Sequence, residues 1–408
     1  MIATKGLTDL LREPAYMRVW LVGVFSGIAR WLEMLVVGVY AFDTTGSPFL
    51  VALLVILRLA PLAVLGSIVG TFADRMPPRL FLTATMGAAM TVSTAVFLIF
   101  FVGLDQYWIV AFSSFVSGVV WTTDMPLRRR LLGDIAGMAR IAPAMSLDSA
   151  TNNATRMMGP LMGGVLFQWL GPAGAFALSA TMYALCVVLL LGLPVIVAGD
   201  AVKRETTRAF RDFQEVFALI ARDRDIQRIL LVTIVFNVWG FPFISMIPVV
   251  GRDVLDISAG WIGMLAGLEG GGAFVGASLI ALGLRSGNFR RLYYFGMLGY
   301  LCFAFLAGWM VWAVPMGVVL FCVGLMAAGF STMQSTLIYS VAPPEMRGRL
   351  FGVLVICIGT GLIGFANIGL MGELFGGSAA IRIVAAEGII PLILIGIGWR
   401  QLWQPGGG

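Results

Sequence analysis

Read for hydrophobic and polar positions, the chain is a succession of long apolar runs separated by short polar punctuation. A helix that crosses a membrane needs about 20 mostly apolar residues. Twelve runs meet that length, at roughly 17–41, 50–72, 80–103, 107–127, 141–169, 173–195, 228–250, 258–283, 292–312, 315–341, 350–373 and 378–400. The fifth and tenth are long enough to tilt or to project beyond the bilayer. Gly171-Pro172 and Gly376-Gly377 read as tight turns between neighbouring runs. The one long polar stretch, Gly199 to Asp225, divides the runs six and six. Within it Phe210, Phe213, Val216, Phe217 and Ile220 recur at three- and four-residue spacing among charges. That spacing predicts an amphipathic helix lying along the inner membrane surface. The expected organisation is an N-terminal six-helix bundle over 1–198, a linker over 199–226 and a C-terminal six-helix bundle over 227–408.

Composition sharpens this picture. Hydrophobic residues make up 59% of the chain and charged residues 12%, with a mean hydropathy of +0.95. A soluble globule carries about 25% charged residues, so the expectation is an all-α integral membrane protein. Met1 to Ala15 has no apolar signal core, and the first run reads as a retained span. With the N-terminus placed inside, the outer loops carry only Arg252. The inner segments collect the basic clusters Arg128–Arg130, Lys203 to Arg228, Arg290-Arg291 and Arg347 to Arg349. That bias predicts both termini in the cytoplasm. It also accounts for the net charge of +6 without any nucleic-acid partner.

The chemistry available is narrow. Histidine is absent, and Cys186, Cys302, Cys322 and Cys357 lie singly in apolar runs, where they read as packed thiols. Zinc, haem and most Ser-His or Cys-His catalysis have no ligands or bases to work with. No phosphate-binding Gly-x-x-x-x-Gly-Lys-Ser/Thr loop is present to support ATP drive from this chain. The expectation is therefore a protein that is not an enzyme and needs no cofactor or metal.

Ionisable groups at membrane depth are costly and carry a functional hypothesis by default. Arg30 and Glu33 lie near the middle of the first run, three residues apart, a spacing that allows them to pair with each other. Arg58 lies in the second run, Asp124 near the end of the fourth, Glu269 mid-way along the eighth and Glu387 in the twelfth. Asp148, Asn152 and Arg156 make a polar stripe at four-residue spacing in the fifth run, with Asp148 within reach of Arg128, Arg129 or Arg130. Proton coupling needs a carboxyl that a competing cation can hold or release. Glu33, Asp148 and Glu269 are the proton-coupling candidates, with Arg30, Arg58 and Arg156 as charge partners; spacing leaves open which acid meets which guanidinium. Adaptable apolar walls with a few orienting amides point to Trp31, Asn237, Trp239, Phe241, Met246, Met333 and Gln334 as substrate-cavity candidates near the midplane between the halves.

Three segments carry a resemblance to a known family. The loop after the second run reads "GTFADRMPPR", with Gly70, Asp74, Arg75 and Arg79. It resembles the major facilitator superfamily signature Gly-x-x-x-Asp-Arg/Lys-x-Gly-Arg/Lys-Arg/Lys, and is read as departing from it at Pro78, where the family usually has glycine. "GPLMGG" in the fifth run, with Gly159, Pro160, Gly163 and Gly164, resembles the Gly-Pro-x-x-Gly-Gly motif of proton-coupled exporters in that superfamily. "PPEMRGRLFG", Pro343 to Gly352, sits in the matching inner loop of the second half and resembles the same exporters. The overall likeness is to drug:proton antiporters, among them macrolide efflux proteins and the enterobactin exporter. It implies twelve transmembrane helices in two pseudo-symmetric six-helix bundles, the loop motif as a gating latch, and a monomer in a bacterial-type inner membrane surrounded by lipid. It further implies secondary active, proton-coupled export of an amphipathic small molecule by alternating access. A lipid or lysolipid flippase of the same fold, or metabolite uptake or uniport, is the alternative.

Overall fold

A computed structural model shows a chain built from α-helices; it describes residues 9–137, 139–193, 209–283, 289–343 and 346–403, with the side chains of 65–75, 209–214, 283, 348 and 400–401 left aside. The helices are α1 (Pro14–Thr45), α2 (Pro48–Arg75), α3 (Pro78–Val102), α4 (Tyr107–Ala136) and α5 (Ile141–Leu191). There follow α6 (Ala209–Arg222), α7 (Arg224–Val235), α8 (Met246–Asp253), α9 (Ala259–Gly283) and α10 (Phe289–Ala307). The last are α11 (Ala313–Val341), α12 (Arg347–Gly359), α13 (Gly361–Phe375) and α14 (Gly377–Gly398). Among the described residues, eight continuous helical stretches are long and apolar enough to cross a membrane.

Among the described residues, helical segments stand at all twelve expected positions once three local departures are taken into account, although α2, α4 and α10 are not among the eight apolar stretches. α5 holds two spans, because Gly171 (φ 64°, ψ −172°) turns the chain within what is otherwise one helical run, a conformation that favours glycine. The seventh span is not one regular helix. Between α7 and α8 the backbone passes through a π-helical turn, Phe236–Gly240, and a 3-10 turn, Phe241–Ser245. The eleventh span is interrupted at Thr360, between α12 and α13.

Local signals explain most helix ends. Proline occupies the first turn of α1, α2 and α3, where its missing N–H costs nothing. Left-handed Gly46 and Gly103 stop α1 and α3 by donating their N–H groups back to the last turn. Asp223 caps α7, its carboxylate accepting from the backbone N–H of Asp225 (2.8 Å) and Ile226 (3.2 Å). The amphipathic helix expected around residue 215 is present as α6, with Val216 buried and Phe217 exposed; Phe210 and Phe213 lie outside the described side chains. Glu215 of α6 is tied to Arg349 of α12 (2.7 Å).

Contacts divide the chain into two compact units. Unit 1 is Met1–Gly46, Leu53–Ala201 and Ile257–Gly267; unit 2 is Ser47–Ala52, Val202–Asp256 and Leu268–Gly408. In unit 1 a core of Leu10, Tyr16, Val19, Val22, Leu82, Met86, Leu131 and Cys186 lies between α1, α3, α4 and the second arm of α5. In unit 2, α9 and α11 press backbone on backbone. A Cβ added at Gly324 would stand 1.8 Å from the Glu269 carbonyl oxygen, and one at Gly272 would stand 2.0 Å from that of Phe321. Small residues let helices touch in this way where lipid gives no hydrophobic drive for association. Gly324→Val should therefore separate the pair and cost about 1–3 kcal/mol or more through overpacking. This reads as a lowered melting temperature of the purified protein, whereas Gly87→Ala, which meets nothing within 4 Å, should leave it unchanged or higher.

Candidate functional site

The charged residues of the first five spans assemble inside unit 1. Glu33 is 2% exposed and does not pair with Arg30. Its Oε1 accepts hydrogen bonds from the hydroxyls of Ser93 (2.9 Å) and Ser179. Its Oε2 accepts from the Ser117 hydroxyl (2.9 Å) and lies 3.5 Å from Arg58 Nη2. The cage thus draws on α2, α3, α4 and the second arm of α5, all closing on one side chain of α1.

Arg30 turns instead to Asp124 of α4. Asp124 Oδ2 accepts from Arg30 Nη2 (2.6 Å) and from Ser26 Oγ (3.2 Å), and Oδ1 from Arg128 Nε (3.3 Å). Arg128 also donates to Asp148 Oδ1, and Arg129 Nε donates to Asp148 Oδ2 (2.9 Å). The result is a line of alternating charge, Arg30–Asp124–Arg128–Asp148–Arg129, in which only Arg129 reaches the surface. Gly23 makes room for it, since a Cβ there would stand 2.5 Å from Arg128 Nη1; Gly118 lets α4 approach the α2 backbone, since a Cβ there would stand 2.2 Å from the Arg58 carbonyl oxygen. Beside the line, Arg30 lies over the ring of Trp121 (5.4 Å), Arg156 over that of Trp31 (5.5 Å), and the two indoles meet edge-on at 6.5 Å.

The Gly-Pro-x-x-Gly-Gly segment of α5 presents glycines to two neighbours. A Cβ on Gly159 would meet Trp31 Cβ at 2.5 Å, and one on Gly163 the Leu32 carbonyl at 3.0 Å, both on α1. Gly164 faces the Ala259 carbonyl (2.5 Å) and Gly263 of α9, and Gly263 in turn faces the Pro160 carbonyl (2.5 Å). In the loop motif, Gly70, Asp74 and Arg75 lie outside the described side chains. Arg79 donates to the last carbonyls of α5, Leu190 (2.9 Å) and Leu191 (2.7 Å). Counted from Asp74-Arg75, it is Pro77 that stands where the signature has glycine, and Pro78 replaces the first basic residue.

Unit 2 gathers the amides and aromatics around its broken helix. Asn237 Nδ2 donates to the Thr233 carbonyl one turn back (2.9 Å), and Gln334 Nε2 donates to Thr233 Oγ1 (3.1 Å), which also meets the Tyr293 hydroxyl (2.9 Å). Phe241, Phe236, Phe330 and Tyr293 form a run of near-parallel rings at 6.0, 4.1 and 5.1 Å between centroids. Trp239 Nε1 donates to Glu387 (3.1 Å). Glu269 is 2% exposed on α9.

Comparison with known proteins fits this architecture. The sequence matches the Major Facilitator Superfamily over residues 19–366. The chain belongs to that superfamily. It is 24% identical to the MFS-type transporter YfiS of Bacillus subtilis (strain 168), across 96% of this chain and 92% of that one. It is 22% identical to the staphyloferrin A transporter of Staphylococcus aureus (strain NCTC 8325 / PS 47), across 56% and 57% respectively. Among solved structures, a point mutant of the nucleoside transporter NupG superposes with a TM-score of 0.74 at 14% identity, covering 95% of this chain and 99% of that one. A bacterial homologue of the human lysosomal transporter Spinster, inward-facing and unoccupied, gives 0.72 at 14% identity over 96% and 95%. The protein is thus a membrane-spanning transporter of the superfamily and not an enzyme.

Within this transporter, the structure distributes the residues singled out from sequence unevenly. Glu33, Arg30, Arg58 and Asp148 enter the polar network of unit 1, whereas Trp31 and Arg156 stack beside it. The possible Arg30–Glu33 pair is replaced by two separate pairs, because the packing faces the two side chains toward different helices. Met246, Met333 and Asn237 are all buried in unit 2, at 0%, 4% and 5% exposure. The sequence reading missed the three serines around Glu33, and it underrated Asp124, the hub between two arginines. The signal for Asp124 was its four-residue spacing to Arg128, which stacks the two on one helix face.

Removing that hub leaves Arg30 without its acid and Arg128 with only one. Asp124→Leu should cost about 3–5 kcal/mol, the usual effect of stranding a buried charge. It should lower the melting temperature of the reconstituted transporter accordingly, and the double change Asp124→Leu with Arg30→Met should recover part of the loss.

Proposed function

We propose that this transporter is a proton-coupled exporter of an amphipathic small molecule, working by alternating access, with Glu33 as the proton-carrying group. The observation that carries the reading is the cage of Glu33: a buried carboxylate held by three hydroxyls from three elements and only a 3.5 Å contact to Arg58. A hydroxyl can donate to a carboxylate and, after turning, accept from a carboxylic acid. The cage therefore suits both protonation states without rebuilding. Protonation removes the attraction that holds Arg58, and the freed guanidinium biases the packing of α2 against α1.

The other candidates take supporting roles in this reading. Asp148, clamped by Arg128 and Arg129, closes the charge line, and Arg156 is a partner for a passing polar group beside Trp31. Glu269 stays as a coupling candidate on α9. Asn237, Trp239, Phe241 and Gln334 line the broken span as substrate contacts. Gly70, Asp74, Arg75 and Arg79 form the gating latch, and Gly159, Pro160, Gly163 and Gly164 the exporter motif. Residues 1–198 and 227–408 act as the two moving bundles joined by 199–226. The basic inner loops favour a cytoplasmic placement of both termini in an inner membrane, and a monomer suffices for the cycle. The partial likeness to a staphyloferrin A transporter adds such molecules to the cargoes worth trying.

A thermal-shift screen of the purified protein with tetraphenylphosphonium, staphyloferrin A and lysophosphatidylcholine selects the cargo. Stabilisation by the lysolipid alone would replace export of a soluble amphiphile with lipid flipping. In proteoliposomes with the selected compound, Glu33→Gln should keep binding and exchange but lose uphill transport driven by a pH gradient. Gradient-driven flux equal to wild type would remove Glu33 from the mechanism.

A further inference from the structure

Glu387 sits at the midpoint of α14, a helix apolar enough to span the bilayer. Its two hydrogen bonds among the described residues fall on one oxygen: Oε2 accepts from Trp239 Nε1 (3.1 Å) and from Asn367 Nδ2 of α13 (2.9 Å). Both donors are neutral. Glu33, Asp124, Asp148 and Asp225 each have an arginine. Among the described residues, no cation forms an ion pair with Glu387.

The elements packed on α14 send their charges elsewhere. On α10, Arg290 pairs with Asp225 and Arg291 donates to the Leu402 carbonyl. Tyr293, Tyr294 and Tyr300 of the same helix bond to the carbonyls of Ile229, Leu392 and Gly240, and Cys302 is exposed. On α13, Glu373 accepts from Ser47 and the Phe49 N–H. On α7, Arg224 and Asp225 lie at the N-terminal end and Arg228 donates to the Gly398 carbonyl. Arg252 and Asp253 lie at the end of α8, and the π-helical turn has no titratable side chain. Arg382, on α14 itself, donates to the Gly308 carbonyl and covers the ring of Trp309.

A half-buried carboxylate midway along an apolar span, with no ion pair among the described residues, is costly, and taking up a proton is the usual relief. We propose that Glu387 is a second proton-binding site, in unit 2 and independent of Glu33. One proton from water adds to Oε1 and returns to water on release, while Oε2 accepts from Trp239 and Asn367 throughout. The two bonds are charge-assisted only in the ionised state, and such bonds are about twice as strong as neutral ones.

The consequence falls on the broken seventh span. Trp239 belongs to the π-helical turn, and α13 and α14 clasp that turn closely. A Cβ on Gly388 would stand 2.6 Å from Trp239 Cβ, and one on Gly364 would stand 2.3 Å from the Val238 carbonyl. Protonation of Glu387 loosens the polar tether between α14 and this turn, which is the irregular element best suited to flex. The transporter then has a proton site in each unit.

Infrared difference spectra of the full chain in liposomes, taken between about pH 4 and pH 10 to cover carboxyl titration, test this without knowledge of the cargo. A carbonyl band of a protonated carboxyl, shifted in D2O, should be present in wild type and Glu33→Gln and absent in Glu387→Gln. Trp239→Phe and Asn367→Leu should each move that band to higher frequency, because each removes a donor from the carbonyl. A Glu387→Gln spectrum superimposable on wild type overturns the proposal. So does an unmoved band in both donor variants, which keeps the test decisive if Glu387→Gln fails to fold. Loss of a band in Glu33→Gln alone bears on Glu33 and leaves this outcome separate.

Discussion

A charge placed in hydrocarbon must be compensated within a few ångströms, and unit 1 is organised around that requirement. Three acids and four arginines come together from α1, α2, α4 and α5, and they alternate in sign so that none is left beside its like alone. The remaining lone pairs are met by hydroxyls, at Ser26 for Asp124 and at Ser93, Ser117 and Ser179 for Glu33. The helices must approach closely for these short side chains to reach; Gly23 leaves space for the Arg128 guanidinium, and Gly118 lets the α4 backbone approach that of α2 at Arg58. The buried charges therefore depend on several helices at once, and Asp124 and Asp148 are joined through the arginine they share, Arg128.

Around its broken span, unit 2 meets the same constraint with neutral groups. Its irregular stretch, Phe236–Ser245, departs from α-helical hydrogen bonding in a medium that offers no water to repair the difference. Side chains do the repair: Tyr300 donates to the Gly240 carbonyl (3.3 Å), Ser245 to that of Pro242 (2.8 Å) and Asn237 to that of Thr233 (2.9 Å). The stacked rings of Phe236, Phe330 and Tyr293 fill the volume beside it. A line of ion pairs in unit 1 and hydroxyls, amides and rings around the broken span of unit 2 thus satisfy buried polar groups by different means.

The span pattern was readable because a bilayer imposes length and hydrophobicity on every crossing, a demand that survives in linear sequence. Breaks inside spans were not readable in the same way. The stretch from Phe236 to Ser245 is apolar apart from Asn237 and Ser245, and Gly240 and Pro242 alone do not distinguish a π-helical turn from an ordinary bend. The partners of the buried charges were legible in kind but not in pairing. Arg30 and Glu33 are one turn apart, yet the rotation of α1 against its neighbours sends the first to Asp124 and the second to Arg58. Serines were the weakest signal, since a hydroxyl in an apolar helix commonly bonds to its own backbone one turn back, as Thr85 and Thr122 do here. Only packing shows that Ser93, Ser117 and Ser179 turn to one carboxylate instead.

The charge network and the glycine motif of α5 meet on three consecutive residues. Gly159 presses on Trp31, Gly163 on the Leu32 backbone, and Glu33 follows directly in its cage. Contacts this close leave no slack: α1 cannot shift along or about its axis by a fraction of a side chain without moving the α5 glycines, and on their other face Gly164 bears on Gly263 of α9. Close-packed interiors respond to such a push by moving between discrete arrangements rather than by deforming smoothly. Glu33 thus lies next to a stretch of α1 that packs closely on α5, which in turn packs on a third helix. Glycines serve in that position better than larger side chains, whose rotamers would absorb the displacement.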